Sequence, residues 1–282
     1  MKTDRRPGTV IVLVFLLAMA GQCTGLEQSA PKILVSNDDG IDAQGLIALV
    51  EALQKVGTVT VAAPVREQSG ISHGMTTRRL IPVRESERAG VRWYAIDATP
   101  GSCVRLALES LLPARPDIVV SGINRGENVG LVTFYSATVA AAREASFLRI
   151  PAIAVNLRSG DGMDYKTAAR FVAALVRELV RGGLEEGLFL NINIPALPRE
   201  RIKGVMITSL DTRPTAEFFE KKEARDGETL YWPSYKVLDA GPANTDIWAV
   251  RNGFISITPL SLDQTDAARF KTLEGLKKLE WK

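Results

Sequence analysis

The chain has 282 residues, is 46% hydrophobic and carries a formal net charge of +3. That length suffices for one large α/β domain or two small ones with a sizeable core, and the composition indicates neither disorder nor collagen-like repetition. Lys2, Arg5 and Arg6 against Asp4 place +2 of the charge in the first six residues, which leaves +1 for the rest. No basic stripe with interleaved aromatic residues indicates a nucleic-acid partner.

The N terminus has the pattern of a secretory signal peptide. The basic segment MKTDRR precedes the apolar run TVIVLVFLLAMAG, which is too short to span a bilayer comfortably. Ala18-Met19-Ala20 then supplies the small residues that a signal peptidase prefers. We expect a signal peptide over 1–25, a linker over 26–31, export to the periplasm and no stable membrane partner. A lipoprotein attached through Cys23 and an uncleaved membrane anchor stay open as alternatives.

Helices and strands alternate beyond the linker. The run ILVS predicts a strand over 33–36, and residues 42–57 predict an amphipathic helix with Asp42 as N-cap and Gly57 as its end. Further strands are predicted at 58–64, 116–124, 152–156 and 188–195, and further helices from Thr99, from Ser136 and over 164–180, the last ended by Gly182-Gly183. Nearly continuous apolar strands separated by helices predict an α/β fold with a mostly parallel sheet covered on both faces.

The C-terminal part has a different pattern. From about Val205 the helices thin out, and DIWAVRNGFISITPL (246–260) predicts two strands joined by a type I′ turn at Asn252-Gly253. The polar stretch 212–243 shows no clear period, so we expect a long loop or an extended arm there. The arm region spans about 205–260, and residues 263–282 are expected to form a C-terminal helix.

Three polar, glycine-rich loops follow the first three predicted strands of the sheet: SNDDG, PVREQSGISHG and SGINRGENVG. In an open parallel sheet, ligands bind outside the carboxyl ends of the strands. Two carboxylates, a hydroxyl and an amide oxygen form a hard ligand set that suits Mg²⁺ or Mn²⁺. A divalent cation would also remove the repulsion between the adjacent Asp38 and Asp39. A solvated pair of carboxylates in an ordinary turn stays open as the alternative.

Other residues extend or limit this site. Ser136 and Thr138 stand at a predicted helix start, where N–H groups and the helix dipole attract anions such as phosphate. His73 is the single histidine, so a His-rich zinc site and a two-histidine phosphatase are excluded. It is either an acid or base or an ordinary hydrogen-bonding residue. Cys103 is expected to be a small core residue and not a nucleophile.

Four ordered motifs, ILVSNDDGIDAQGL, AAPVREQSGISHGMT, PDIVVSGINRGENVG and YSATVAAAREA, make the chain resemble the SurE family (survival protein E) of nucleoside monophosphate phosphatases. The likeness runs from about Lys32 to about Leu262 and includes NINIP and ITPL. It implies a Rossmann-like three-layer fold, hydrolysis of nucleoside 5′- and 3′-monophosphates, and homodimers or homotetramers built through C-terminal arms. It also implies one divalent metal ion, Mg²⁺ or Mn²⁺, held by Asp38, Asp39, Ser69 and Asn124, with phosphate contacts at Asn128, Ser136 and Thr138.

The resemblance has departures. A family glycine is replaced by Ala137, which cannot readily adopt a positive φ, and Glu67 adds negative charge near the expected metal. The family is commonly cytoplasmic, which is a further alternative to export. We expect metal-activated water to attack the phosphomonoester, with Asp38 or Asp39 as catalytic residues that orient the water or take its proton. An aspartyl-phosphate route, a preference for polyphosphate or another phosphoester, and a non-catalytic exported nucleotide-binding protein stay open.

Overall fold

The computed structural model describes residues 30–213, 216–236 and 240–281. The predicted signal peptide (1–25) and all but the last two residues of the predicted linker (26–31) lie outside the described residues. Within those ranges, no helix has both the length and the apolar character needed to cross a membrane.

Among the described residues, nine strands form one sheet in the spatial order β3-β4-β2-β1-β5-β6-β7-β11-β8. Their bounds are β1 (Lys32–Ser36), β2 (Thr58–Pro64), β3 (Val83–Arg88), β4 (Val91–Ile96), β5 (Ile118–Arg125), β6 (Ala152–Leu157), β7 (Phe189–Ile194), β8 (Val205–Ile207) and β11 (Ile255–Pro259). β4, β2, β1, β5, β6 and β7 run parallel, whereas β3 and β11 are antiparallel to their neighbours β4 and β7. The predicted mostly parallel sheet is therefore confirmed.

Helices cover both faces of the sheet, as predicted. α1 (Gln44–Leu53) and α4 (Tyr165–Gly182) pack on one face, and α2 (Pro100–Leu106) and α3 (Ala137–Phe147) on the other. Side chains of β1 alternate between the two cores, because Ile33 and Val35 join the first and Leu34 the second. α1 begins after Ala43 without a side-chain cap from Asp42. The fold is a three-layer α/β structure.

The strand order reverses at β1. β1 pairs with β2 on one side and with β5 on the other, both in parallel register. The chain first builds outward through β2 and then returns past β1 to build through β5, β6 and β7. The carboxyl ends of β1 and β5 therefore flank a topological switch point, which is where open α/β sheets bind ligands.

The β-hairpin predicted at Asn252-Gly253 is wrong. DIWAVR forms a helix, α5 (Asp246–Arg251), because the Thr245 hydroxyl accepts a hydrogen bond from the Trp248 N–H at 3.4 Å. Gly253 has φ of +84° just after that helix, so the dipeptide ends a helix instead of joining two strands.

The hairpin lies instead in the stretch predicted to be a loop. β9 (Ala216–Arg225) and β10 (Glu228–Lys236) pair antiparallel with each other. Their turn is Asp226-Gly227, and both residues have positive φ (51° and 83°), as a type I′ turn requires. No apolar alternation marks these strands, because the hairpin forms a separate two-stranded sheet.

Two other segments differ from prediction. β3 and β4 form the edge of the sheet, but the charged sequence VRESER concealed β3. Residues 263–281 contain only short helical turns, including α6 (Phe270–Leu273), instead of one helix. These residues are exposed, and a helix without a buried apolar face has little packing to stabilise it.

Candidate functional site

The acidic turn follows β1 directly. Asp38 is buried and Asp39 half-buried, and the Asn37 Nδ2 closes the turn by donating to the Gly40 carbonyl at 2.8 Å. Gly40 has φ of +100°, and a Cβ there would lie 3.2 Å from the backbone of Arg66. A glycine is therefore required for the turn to fit under the loop that follows β2.

That second loop is joined to the acidic turn by its backbone. The Gln68 N–H donates to the Asp38 carbonyl at 2.8 Å. One residue later, the exposed Ser69 hydroxyl donates to a carboxylate oxygen of Glu67 at 2.9 Å, so the lone pairs of its oxygen are available to a further partner. Ser69 and the two aspartates are thus held in adjacent loops.

The end of β5 brings the third loop to the same place. The Arg125 N–H donates to Oδ2 of Asp39 at 3.1 Å. The neighbouring Asn124 donates its Nδ2 to the Gly126 carbonyl at 3.0 Å, which leaves its Oδ1 as the free acceptor. The pairing of β5 with β6 shifts register between Ser121 and Asn124, at the point where the strand reaches the site. The convergence of loops expected from strand order is present.

The start of α3 completes the arrangement. The Thr138 hydroxyl donates to Oδ1 of Asp38 at 2.5 Å, and the Ser136 hydroxyl caps α3 by accepting the Val139 N–H at 3.1 Å. Ala137 is the first helical residue, and its backbone does not adopt positive φ. A positive φ is therefore not needed at Ala137 in this chain, and the effect of the methyl group on phosphate binding stays a question for experiment.

The ionised forms of Asp38 and Asp39 are disfavoured by burial and by their like charges. Burial raises the pKa of Asp38 to about 7, against the opposing effect of the Thr138 hydrogen bond, and the Asp39 charge adds to the increase. Burial also raises the pKa of Asp39, and the charge of Glu67 raises it further. In the described part of the chain, neither carboxylate is within ion-pair distance of a basic side chain, although Arg125 attracts Asp39 more weakly.

A cation would relieve this strain between like charges. No group of three or more His, Cys, Asp and Glu side chains suited to a metal is present among the described residues. The donors that converge here are instead two carboxylates, one hydroxyl and one amide oxygen, from Asp38, Asp39, Ser69 and Asn124. Such hard oxygen donors suit Mg²⁺ or Mn²⁺. The residues present therefore fit a divalent ion.

Asn128 is part of a buried asparagine network. Its N–H donates to Asn193 at 2.8 Å and its Nδ2 to Asn156 at 2.6 Å, while its carbonyl accepts from Asn191 and Asn193. The network fixes the loop that follows β5 against β6 and β7. The alternating asparagines of NINIP are the sequence signal for it. The expected phosphate contact of Asn128 stays a prediction, with one Nδ2 proton left to make it.

His73 lies beside α3 and not in the acidic turn. Its Nε2 is 2.6 Å from Oε1 of the buried Glu144, and its ring stacks on Phe147. Cys103 is buried and free, as expected, and burial raises the pKa of its thiol. The Thr138–Asp38 and His73–Glu144 contacts had no local sequence signal, because each joins residues 71 or more positions apart.

Comparisons with known proteins show which family the chain resembles in sequence and fold. The family description "Survival protein SurE" matches residues 33–217. The chain is 45% identical over 250 residues to "5'-nucleotidase SurE" of Geobacter sulfurreducens, covering 86% of this chain and 92% of that relative. It is 42% identical over 249 residues to "5'-nucleotidase SurE 1" of Thermus thermophilus, covering 87% and 97%. The crystal structure of SurE protein from Aquifex aeolicus superposes with a TM-score of 0.78 at 35% identity, covering 88% of this chain and all of that one.

The family match spans more than half of the chain, and the relatives are matched over nearly their whole length. The matched region contains the acidic turn, the loop that carries Ser69, the end of β5 and the start of α3. The chain belongs to the SurE family of survival proteins.

Proposed function

We propose that the protein is a nucleotidase that hydrolyses nucleoside 5′-monophosphates, and also 3′-monophosphates, in a reaction that depends on one divalent metal ion. The observation that carries the proposal is the adjacent pair of the buried Asp38 and the half-buried Asp39 at the switch point of the sheet. The pair stands in a chain 45% identical to a relative named "5'-nucleotidase SurE". Relatives with that name support the phosphatase activity, and the acidic turn supports the dependence on a metal.

The metal would be held by Asp38, Asp39, Ser69 and Asn124. Hydrogen bonds from the protein engage Oδ1 of Asp38 and Oδ2 of Asp39. The other carboxylate oxygens, Oδ2 and Oδ1 respectively, accept no hydrogen bond from another described residue. Asn124 and Ser69 add one oxygen each. When bound, Mg²⁺ or Mn²⁺ neutralises the phosphate and lowers the pKa of coordinated water.

The phosphoryl group would be bound at the start of α3. The first N–H groups of a helix have no intrahelical partner and point toward an anion. The Ser136 oxygen accepts from Val139, so its own proton is free to donate to a phosphate oxygen. Thr138 has committed its proton to Asp38, and it would therefore contact phosphate through its N–H. These donors would stabilise charge that grows on the phosphoryl oxygens.

The aspartates would also handle the proton of the attacking water. An oxygen that carries no protein hydrogen bond can accept one from water and orient it for in-line attack. Thr138 and the Arg125 N–H hold the two carboxylates in fixed orientations for this role. Asp38 and Asp39 are thus the proposed catalytic residues as well as metal ligands.

Assembly and location are further parts of the proposal. The β9–β10 hairpin pairs with no strand of the main sheet and exposes Phe219, Tyr231 and Trp232, which supports a homodimer or homotetramer built through this arm. The apolar N-terminal segment supports export to the periplasm.

Phosphate release from 5′- and 3′-nucleoside monophosphates tests the proposal. The wild-type protein should release phosphate, lose the activity in EDTA and recover it with Mg²⁺ or Mn²⁺. Asp39→Asn should abolish turnover while the fold is retained, whereas Asp42→Asn, at an exposed residue paired with Arg88, should not. Binding of nucleotide without any release would instead identify a binding protein, and faster release from polyphosphate would identify a different substrate.

A further inference from the structure

His73 lies in the loop that carries Ser69, here called the Ser69 loop (residues 65–76). The backbone of this loop is unusual, because Gly70 and the non-glycine Ser72 both have positive φ, at +72° and +53°. A non-glycine residue in that region is sterically strained, because its Cβ lies too close to the following carbonyl oxygen. The loop therefore needs contacts elsewhere to keep its shape.

Contacts in its second half hold the loop to the helices of one layer. The Ser72 N–H donates to the Tyr135 carbonyl at 3.0 Å, just before α3, and the Thr76 N–H donates to the Ser102 hydroxyl of α2 at 2.8 Å. Between them, His73 reaches Glu144 with Nε2 and stacks its ring on Phe147 at a centroid distance of 5.5 Å. His73 is thus the side-chain link from the loop to the body of α3.

Glu144 is held in place as a charged acceptor for the His73 hydrogen bond. Glu144 is buried, and its second oxygen accepts a hydrogen bond from Nε of Arg105 at 2.7 Å. Burial alone would raise the pKa of Glu144, but the bonds from His73 and Arg105 outweigh it and hold that pKa below its ordinary value. The carboxylate is therefore a charged acceptor.

The tautomer of His73 follows from its other neighbour. Nδ1 faces Nη1 of Arg143 at 3.4 Å. A guanidinium can only donate, so Nδ1 accepts and the proton is on Nε2, where it is donated to Glu144. Both ring nitrogens are engaged by protein groups, which makes His73 a poor candidate for direct acid or base work.

These contacts connect the Ser69 loop, α3 and the acidic turn. Glu144 is on α3, whose first turn carries the hydrogen bond from Thr138 to Asp38, while His73 is four residues from Ser69. We infer that His73 is a positioning residue that sets the distance between Ser69 and the start of α3 by joining the Ser69 loop to Glu144. The inference rests on the proposed function for its consequence in catalysis, since it assigns the metal-ligand loop a fixed position against the phosphate-binding helix.

The matched variants are His73→Ala and Arg105→Ala. Each removes one hydrogen bond from the same carboxylate, but only His73 belongs to the Ser69 loop. His73→Ala should lower kcat/KM for a nucleoside 5′-monophosphate about tenfold or more, because small misplacements of reacting groups cost rate steeply. It should also raise the Mn²⁺ concentration that gives half-maximal activity. Arg105→Ala should leave both quantities within about threefold of wild type. This should hold even if its melting temperature falls as far as that of His73→Ala.

Two further measurements keep the test decisive. His73→Gln, whose amide can still donate to Glu144, should restore most of the lost kcat/KM. Hydrogen exchange of the amides in the Ser69 loop should accelerate in His73→Ala and not in Arg105→Ala, and this readout needs no enzymatic activity. Equal kinetic losses in the two alanine variants, or unchanged loop exchange in His73→Ala, would overturn the inference. An inactive wild type would refute the proposed function, while the exchange comparison would still decide the role of His73.

Discussion

Replacing Asp38 by asparagine should stabilise the metal-free protein at pH 8, even though it removes a proposed catalytic group. The pKa of Asp38 is raised from 3.8 to about 7, so the folded state binds this proton more tightly than the unfolded state. The protonated Asp38 therefore contributes to the free energy of unfolding in full below about pH 4, and this contribution is lost as the pH rises through about 7. At 1.36 kcal/mol per pKa unit, the ionised carboxylate opposes folding by about 4 kcal/mol above that pH. An amide is neutral at every pH and still accepts from Thr138.

Urea unfolding in EDTA measures this effect. At pH 8, Asp38→Asn should gain about 2–4 kcal/mol over wild type, and at pH 4 the gain should vanish. Adding Mn²⁺ at a hundred times its Kd should stabilise the wild type by about 2.7 kcal/mol and the variant hardly at all. Asp42→Asn is the control, since that exposed residue lies outside the site, and its stability should change by less than about 0.5 kcal/mol. The reasoning would be refuted if Asp38→Asn were less stable than wild type in EDTA at pH 8. It would also be refuted if Mn²⁺ stabilised Asp38→Asn as much as it stabilises the wild type.

Three further substitutions test other parts of the structure. Thr138→Val removes the donor to Asp38 and should lower kcat about tenfold or more in steady-state kinetics; an unchanged kcat would contradict this role. Ala137→Gly should lower the free energy of urea unfolding by about 0.5–1 kcal/mol and leave KM unchanged because the position is helical; a lower KM would show that the methyl group obstructs phosphate. Gly45→Ala should lower the free energy of unfolding by about 1–3 kcal/mol, since its Cβ would lie 2.1 Å from a β5 carbonyl oxygen. Gly182→Ala has open space around its Cβ and should change that free energy hardly at all. Equal effects of the two variants would count against the packing described.

The central sheet and its loops could be predicted because their signals are local. Strands such as ILVS and IVVSGIN are continuous apolar runs ended by polar or glycine residues, and helices separate them. Once the sheet is parallel, the carboxyl ends of neighbouring strands must share one edge. The prediction that the loops after the first three predicted strands lie at one edge of the sheet therefore followed from the strand pattern. In the structure Asp38 and Ser69 lie in neighbouring loops, and Asn124 lies at the end of β5.

The C-terminal region was harder to predict because its signals compete. Asn-Gly between two apolar runs favours a hairpin, yet Thr245 and Gly253 flank a six-residue helix, Asp246–Arg251. The Asp226-Gly227 turn carries an equally good hairpin signal, but it is flanked by charged strands whose described side chains are exposed, apart from the partly buried Ser234. Each turn signal is compatible with a hairpin on its own, so the local pattern does not say which of the two forms one.

The side-chain contacts that hold the site residues in place could not be predicted from the sequence. Thr138 was expected to bind phosphate, and the structure shows its hydroxyl committed to Asp38, 100 residues away. His73 was weighed as an acid or base, but its ring nitrogens face Glu144 and Arg143. Such pairs join side chains across two layers, so no spacing along the chain reports them.

The location of bound Mn²⁺, determined by anomalous diffraction from crystals of the wild-type protein soaked in MnCl₂, tests the central claim most directly. We expect one strong peak beside the acidic turn, with oxygens of Asp38, Asp39, Ser69 and Asn124 at about 2.0–2.6 Å, the range for hard divalent cations. The peak should be absent from crystals of Asp38→Asn. A peak elsewhere, or none at a Mn²⁺ concentration that supports phosphate release, would contradict the assignment of this metal centre.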